Sequence, residues 1–262
     1  MSRLAEVSKP AIVGASPEGA NGAPAAARAV REMFTAIAPR YDLLNHVLSC
    51  NVDRLWWQRT ARTFTHILHQ PDARILDLCC GTGDMTFALQ NLAGNSATQI
   101  IGADFAHAML ARAFSKSREK IEENTKHARP RWIEADALCL PFPSEYFTLV
   151  TSAFGFRNLA DYDAGLREIA RVLKPGGECG ILDFSEPEGL MGHLYRLYFK
   201  QVLPRVGTLI SGVRGPYEYL PNSVERFPEP QEMMDRMRRA GLREVTWTPY
   251  TFGIAGLYRG KK

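Results

Sequence analysis

Ile75-Leu76-Asp77-Leu78-Cys79-Cys80-Gly81-Thr82-Gly83-Asp84 is the stretch on which the fold of this chain turns. An apolar run of strand length is followed by two closely spaced glycines and then by a helix start. Outward from it the pattern alternates. Strands are expected at 74–79, 98–103, 132–133, 146–153 and 177–184. Helices are expected between them at 84–92, 106–122 and 161–173. Strands separated by helices of this length imply βαβ units and a mostly parallel sheet. The run Lys174-Pro175-Gly176-Gly177 reads as a turn. Segment 230–240 reads as a helix. Segments 243–249 and 254–259 read as two further strands joined at Gly253, a terminal hairpin at one sheet edge, which brings the sheet to seven.

Upstream, residues 28–48 place Val30, Phe34, Ile37, Tyr41, Leu44 and Leu48 at helical spacing, with Pro39 dividing two short helices. Residues 53–69 form another amphipathic helix. The organisation expected is a disordered Ala/Gly/Pro-rich leader at 1–27 and N-terminal helices at 28–70 covering the active site. An α/β domain follows at 71–262, with a cap insertion near 185–228 that holds a hydrophobic helix and a Gly/Pro-punctuated loop.

Composition narrows the function classes. The net charge is +4, from 32 basic and 28 acidic residues, too weak to argue for nucleic acid. No run of about 18 apolar residues is present, so no transmembrane helix is expected. The five cysteines form no CxxC pair and share no zinc-ligand spacing with the six histidines, so no metal site is expected and reduced thiols in a cytoplasmic protein are.

The glycine turn discriminates between ligands. Ligands of open α/β sheets bind beyond the carboxyl ends of the strands, and Gly81 and Gly83 allow close approach to the backbone. A dinucleotide fingerprint requires a third glycine where this chain has Thr86, which disfavours an NAD-dependent oxidoreductase. Asp84 at a helix start would repel a pyrophosphate. Asp77 and Asp84 suit a cationic methionine moiety, so the cofactor expected is S-adenosylmethionine. Asp104 closes the second strand about 20 residues on, where an acid accepts from a ribose diol; a cap on the next helix is its alternative role. Asp136, past the third strand, is placed to accept from an adenine amino group while Ala137 offers a backbone N–H. After the fourth strand, Phe154-Gly155-Phe156-Arg157-Asn158 stands where a methyl group meets its acceptor. The Asn/Asp-Pro-Pro-aromatic and Pro-Cys signatures of base-modifying enzymes are absent, so nucleic acid is not an expected partner.

At these residues the chain resembles the ubiquinone/menaquinone biosynthesis C-methyltransferases, of the demethylmenaquinone methyltransferase type. The resemblance runs from about residue 31 to 262. It is carried by Ala38-Pro39-Arg40-Tyr41-Asp42-Leu43-Leu44-Asn45, Trp56-Trp57, Gly81-Thr82-Gly83-Asp84 and Phe154-Gly155-Phe156-Arg157-Asn158. Arg171-Val172-Leu173-Lys174-Pro175-Gly176-Gly177, Tyr219-Leu220-Pro221-Asn222-Ser223-Val224 and the tail from Gly253 to Lys261 add to it. It implies a Rossmann-like class I S-adenosylmethionine-dependent fold and C-methylation of a polyprenylated quinol. It implies cofactor contacts at Thr82, Asp104, Asp136 and Ala137. Some relatives carry a Ser where this chain has Ala153, and no hydroxyl contact is carried over there.

Arg157 is the residue expected to stabilise a quinolate oxygen, with Asn158 as its hydrogen-bonding partner. Tyr41, Asp42 and His46 are alternative proton acceptors or substrate orienters. Helix packing and capping are the competing roles for Tyr41 and Asn45. Segment 190–203, with Leu190, Leu194 and Leu197 beside His193, Arg196 and Lys200, has the pattern of an interfacial helix, of a lid or of a buried helix. A lipid acceptor leads us to expect peripheral contact with the inner face of the cell membrane, and a homodimer or a quinone-synthesis assembly is compatible with this. Cys79-Cys80 inclines the resemblance towards the menaquinone branch. A ubiquinone-precursor benzoquinol, another hydrophobic phenol or a catalytically silent scaffold are the alternatives.

Overall fold

The computed structural model describes residues 14, 15, 17, 20–42, 49, 51–93, 98–123, 129–187 and 216–262. The chain opens with α1 (Ala23–Ile37), a single 3-10 turn (Ala38–Arg40), α2 (Val52–Thr63) and a short α3 (Thr65–Leu68). The alternating part follows: β1 (Arg74–Leu78), α4 (Asp84–Leu92), β2 (Gln99–Asp104), α5 (His107–Glu123), β3 (Arg131–Glu134), β4 (Phe147–Ala153), α6 (Tyr162–Val172) and β5 (Leu173–Phe184). It ends with α7 (Pro216–Arg226), α8 (Pro230–Arg239), β6 (Arg243–Tyr250) and β7 (Ala255–Lys261).

The seven strands form one sheet in the order β3-β2-β1-β4-β5-β7-β6. β1 pairs in parallel with both β2 and β4, so the chain leaves the centre in opposite directions at this point. β7 runs antiparallel between β5 and β6, with Ile181 opposite Tyr258 and Trp247 opposite Tyr258 on the other side. The expected terminal hairpin is therefore present, with β6 as the edge.

The sheet is covered on both faces, and the period of two in β1 divides the core. Leu76 and Leu78 point into a cluster with Val150, Leu166, Ile169, Val172, Met233 and Met237, beneath α6 and α8. Ile75 points into the opposite cluster with Trp56, Phe64, Leu68, Met85, Leu89 and Leu149, beneath α2, α3 and α4. Phe64 sits at the break between α2 and α3, fully buried, its ring against Gly180 of β5 and under the guanidinium of Arg259. It fastens the N-terminal helices to the sheet.

Several expectations need correction. α1 begins at Ala23, inside the segment read as a leader. Pro24 stands in its first turn, where a missing N–H costs nothing, and Ala26 and Val30 are buried. Further upstream, Ala15 is buried and its N–H donates to the Leu159 carbonyl at 2.7 Å. The single helix expected over 53–69 is broken at Phe64, whose ψ of 14° leaves the helical range. Lys174–Gly177 does not end before β5: Leu173 already pairs with Phe147, and the register resumes at Leu149 opposite Glu178, so the turn residues form an irregularity within the pairing. Part of the loop expected before residue 228 is helix α7, with Pro216 at its start and Pro221 inside. The amphipathic segment 190–203, His46 and Asn45 lie outside the described residues. Among the described residues no helix is long and apolar enough to cross a membrane.

Removing the Phe64 ring should leave a cavity between α2 and β5. Phe64→Ala is expected to cost about 3–5 kcal/mol of unfolding free energy, measured from urea midpoints. A loss under about 1 kcal/mol would mean that the N-terminal helices are not fastened there.

Candidate functional site

A cavity of about 410 Å³ opens at the carboxyl ends of β1, β2 and β4, where the strand order reverses and the sheet cannot close over itself. Its floor is the turn after β1. Gly81 and Gly83 both have positive φ, 55° and 89°, and a side chain on Gly83 would collide with the Trp132 ring. Cys79 also has positive φ, 54°, a conformation unfavourable for a residue with a Cβ. The loop after β4 holds it in place: Gly155 lies so close to the Cβ of Cys79 that a methyl group there would overlap it. Burial pushes the thiols of Cys79 and Cys80 well above their ordinary range, which makes them poor nucleophiles.

Asp77 is completely buried beneath this turn. Its two oxygens accept from the Thr86 hydroxyl of α4 at 2.6 Å and from the Thr151 hydroxyl of β4 at 2.9 Å. Burial, opposed by these two bonds, pushes its pKa up to about 7. Thr86, the residue that breaks the dinucleotide fingerprint, thus has a structural use of its own. Asp104 ends β2 and accepts from the N–H of Gly81 at 2.8 Å and of Ala106 at 2.9 Å. It fixes the turn and caps the next segment at once; burial raises its pKa too. Asp136 is exposed at the rim and accepts from the Leu138 N–H, with Ala137 buried beside it.

Of the residues singled out in the sequence, Tyr41, Asp77, Gly81, Thr82, Asp104, Asp136, Ala137, Arg157 and Asn158 all line this cavity. Gly83 shapes the turn without lining it. Asp42 also falls outside it: its carboxylate accepts from the Thr82 hydroxyl at 2.5 Å and pairs with Lys116 at 3.2 Å, in a neighbouring cleft. Asp84, read as facing a cation, is paired with Lys116 at 2.6 Å. Asp84 lines the cavity as well, so the acids around the turn are Asp77, Asp84 and Asp104, of which Asp84 is the one paired with Lys116.

Arg157 occupies the loop after β4, almost completely buried. Its Nη1 donates to Asp183 at 2.8 Å and to the Phe154 carbonyl, and its backbone N–H donates to Asp183 at 3.0 Å. Burial opposes its charge, but Asp183, together with the Tyr41 and Tyr219 phenols, outweighs burial and keeps the guanidinium protonated. Its Nε is buried without a hydrogen-bond partner among the described residues. Asn158 accepts from the Tyr219 hydroxyl through Oδ1 at 3.1 Å, which leaves its amide N–H groups as donors. Trp56, Phe154 and Phe184 form an aromatic wall, with ring centroids 4.6 to 6.1 Å apart. The reading of the sequence missed Lys116, Asp183 and Thr151. The acid closing the apolar run of β5 was a signal for Asp183; nothing local signalled Lys116.

Sheet order, switch-point cavity and glycine turn together define the Rossmann-like fold of class I S-adenosylmethionine-dependent methyltransferases. Solved structures agree on the fold. The [4+2]-cyclase SpnF is 17% identical with a TM-score of 0.64, covering 95% of this chain and 98% of its own. A SAM-dependent methyltransferase from Thermotoga maritima is 18% identical with a TM-score of 0.60, covering 89% and 99%. Residues 23–262 match the model of the ubiE/COQ5 methyltransferase family, and the chain belongs to that family. It is 48% identical to a demethylmenaquinone methyltransferase of Deinococcus radiodurans over 90% of this chain and 93% of the relative. It is 47% identical to one of Thermus thermophilus over 88% and 100%. A ubiquinone/menaquinone biosynthesis C-methyltransferase of Geobacter sulfurreducens is 40% identical over 89% and 88%.

The buried Asp77 predicts a pH dependence. The folded chain keeps that proton up to about pH 7, whereas the ordinary carboxyl value is 3.8. The folded state therefore binds more protons between these values, and this group's contribution to stability falls as pH rises through the interval. Unfolding free energies measured between pH 4 and 8 should show this fall, and Asp77→Asn should flatten it. An unchanged slope in the variant would contradict the assignment.

Proposed function

We propose that the chain methylates a ring carbon of a polyprenylated quinol, converting demethylmenaquinol to menaquinol with S-adenosylmethionine as donor. The observation that carries the reading is the gathering of the Arg157-Asn158 pair and the Asp77-Asp104 floor around one cavity. The two demethylmenaquinone methyltransferases at 47 and 48% identity favour the naphthoquinol over the benzoquinol.

The residues present fit the cofactor. Asp104 spends one acceptor bond per oxygen on backbone N–H groups, which leaves lone pairs for a ribose diol. Asp136 and Ala137 bound the adenine end, and Thr82 and the Gly81 backbone bound the middle. The first turn of α4 carries Asp84, so it is a poor site for a diphosphate. When bound, S-adenosylmethionine supplies an electrophilic methyl group on a sulfonium.

The protein's own residues govern the acceptor. Asp183 fixes the Arg157 guanidinium, and Arg157 with the Asn158 amide steadies the ring oxygen in its ionised form. Ionisation raises electron density on the adjacent ring carbon. There the methyl replaces a hydrogen that leaves as a proton. Tyr41 orients the ring above the turn, and the wall of Trp56, Phe154 and Phe184 excludes water, which strengthens each of these electrostatic contacts. A polyprenylated acceptor resides in a bilayer, so the protein meets it at the inner membrane surface.

Purified protein supplied with demethylmenaquinol and S-adenosylmethionine should yield a product heavier by one methylene unit, read by mass spectrometry; no mass change would refute the activity. Arg157→Lys keeps a cation opposite Asp183 but loses the planar fork. It should lower kcat on the order of 10²-fold while leaving cofactor affinity unchanged. Undiminished turnover would remove Arg157 from the chemistry.

A further inference from the structure

The turn joining β6 to β7 is strained and firmly tied, yet it holds a large apolar ring in solvent. Thr251 and Phe252 are consecutive non-glycine residues with positive φ, 46° and 57°. That conformation is unfavourable for both and persists only where neighbouring contacts enforce it. Here they do. The Thr251 hydroxyl accepts from the Trp56 indole N–H at 2.8 Å, the Gly253 carbonyl accepts from the Ser185 hydroxyl at 2.6 Å, and the Ile254 carbonyl accepts from the Ser185 N–H at 3.0 Å. Thr251 and Ile254 line the cavity, and Phe252 stands between them in sequence with 79% of its surface exposed.

We propose that Phe252 is a specificity-determining residue that receives the polyprenyl tail of the acceptor as it leaves the cavity. The inference rests on the quinol reading of the site. A cavity of about 410 Å³ is at the small end of the range for a single ligand. It must house a methyl donor and a ring, so an isoprenoid tail has to run out across the rim. The rim at this point continues the aromatic wall through Trp56, which bonds directly to Thr251. An exposed phenyl ring on a pinned backbone adds apolar surface there without a backbone ordering cost on binding, and its two side-chain torsions keep the remaining cost small.

The test compares a prenylated demethylnaphthoquinol, in detergent micelles, with the same ring lacking its tail. Phe252→Ser should raise KM for the prenylated acceptor about tenfold. It should leave kcat, KM for the tail-less ring and cofactor Kd as they were. Phe252→Leu should restore the lower KM, because an apolar group suffices. An equal rise with the tail-less ring, or none with the prenylated one, would overturn the proposal. So would an effect seen with liposomes but not with micelles, which would assign the ring to a lipid surface instead. Failure of the unmodified protein to methylate either quinol would bring down the quinol reading and this inference with it. Turnover of both without discrimination by the serine variant would bring down this inference alone.

Discussion

The carboxylate of Asp77 joins β1, α4 and β4 at the point where the sheet changes direction, and the site is built around that junction. One oxygen takes the hydroxyl of Thr86 and the other that of Thr151. The strand, the helix after the glycine turn and the neighbouring strand are thereby held at fixed separations. A buried carboxylate is costly unless it is satisfied, and here both partners come from elements that would otherwise be free to drift. The turn above it can then keep Cys79, Gly81 and Gly83 at positive φ. Gly155 seats the loop after β4 directly on Cys79 and so carries Arg157 to the cavity.

Charge is distributed around this junction so that each ion has a defined partner. Lys116 neutralises Asp84 and Asp42 on the side of the neighbouring cleft. Asp183 holds Arg157 in the loop after β4. Asp77 and Asp104 are the buried acids of the floor, both with pKa values raised by burial. A cation entering there relieves the cost of ionising them, whereas a diphosphate would increase it.

The sequence made the sheet legible because each strand carried an apolar run and each helix a cap or periodic face; Asp161, for example, caps α6 through the Ala164 N–H. Much of the cavity lining was legible too, because Asp77 and Asp104 stand near the carboxyl ends of β1 and β2, and Asp136 and Arg157 follow β3 and β4. What was not legible depends on contacts across the fold. Asp42 pairs with Lys116, 74 residues further on. The partner of Asp77 on β4 is likewise 74 residues away. α1 starts earlier than its composition suggested because Ala26 and Val30 find a buried surface that a low-complexity reading cannot supply. α7 forms despite Pro221, its buried side carrying Ser223 and Val224.

Two families of cofactor could occupy a glycine turn on a sheet of this kind, and the account depends on which one does. Isothermal calorimetry of the purified chain with S-adenosylmethionine and, separately, with NAD distinguishes them directly. The account predicts saturable one-to-one binding of S-adenosylmethionine and no measurable heat with NAD. Binding of NAD without binding of the sulfonium compound would contradict it.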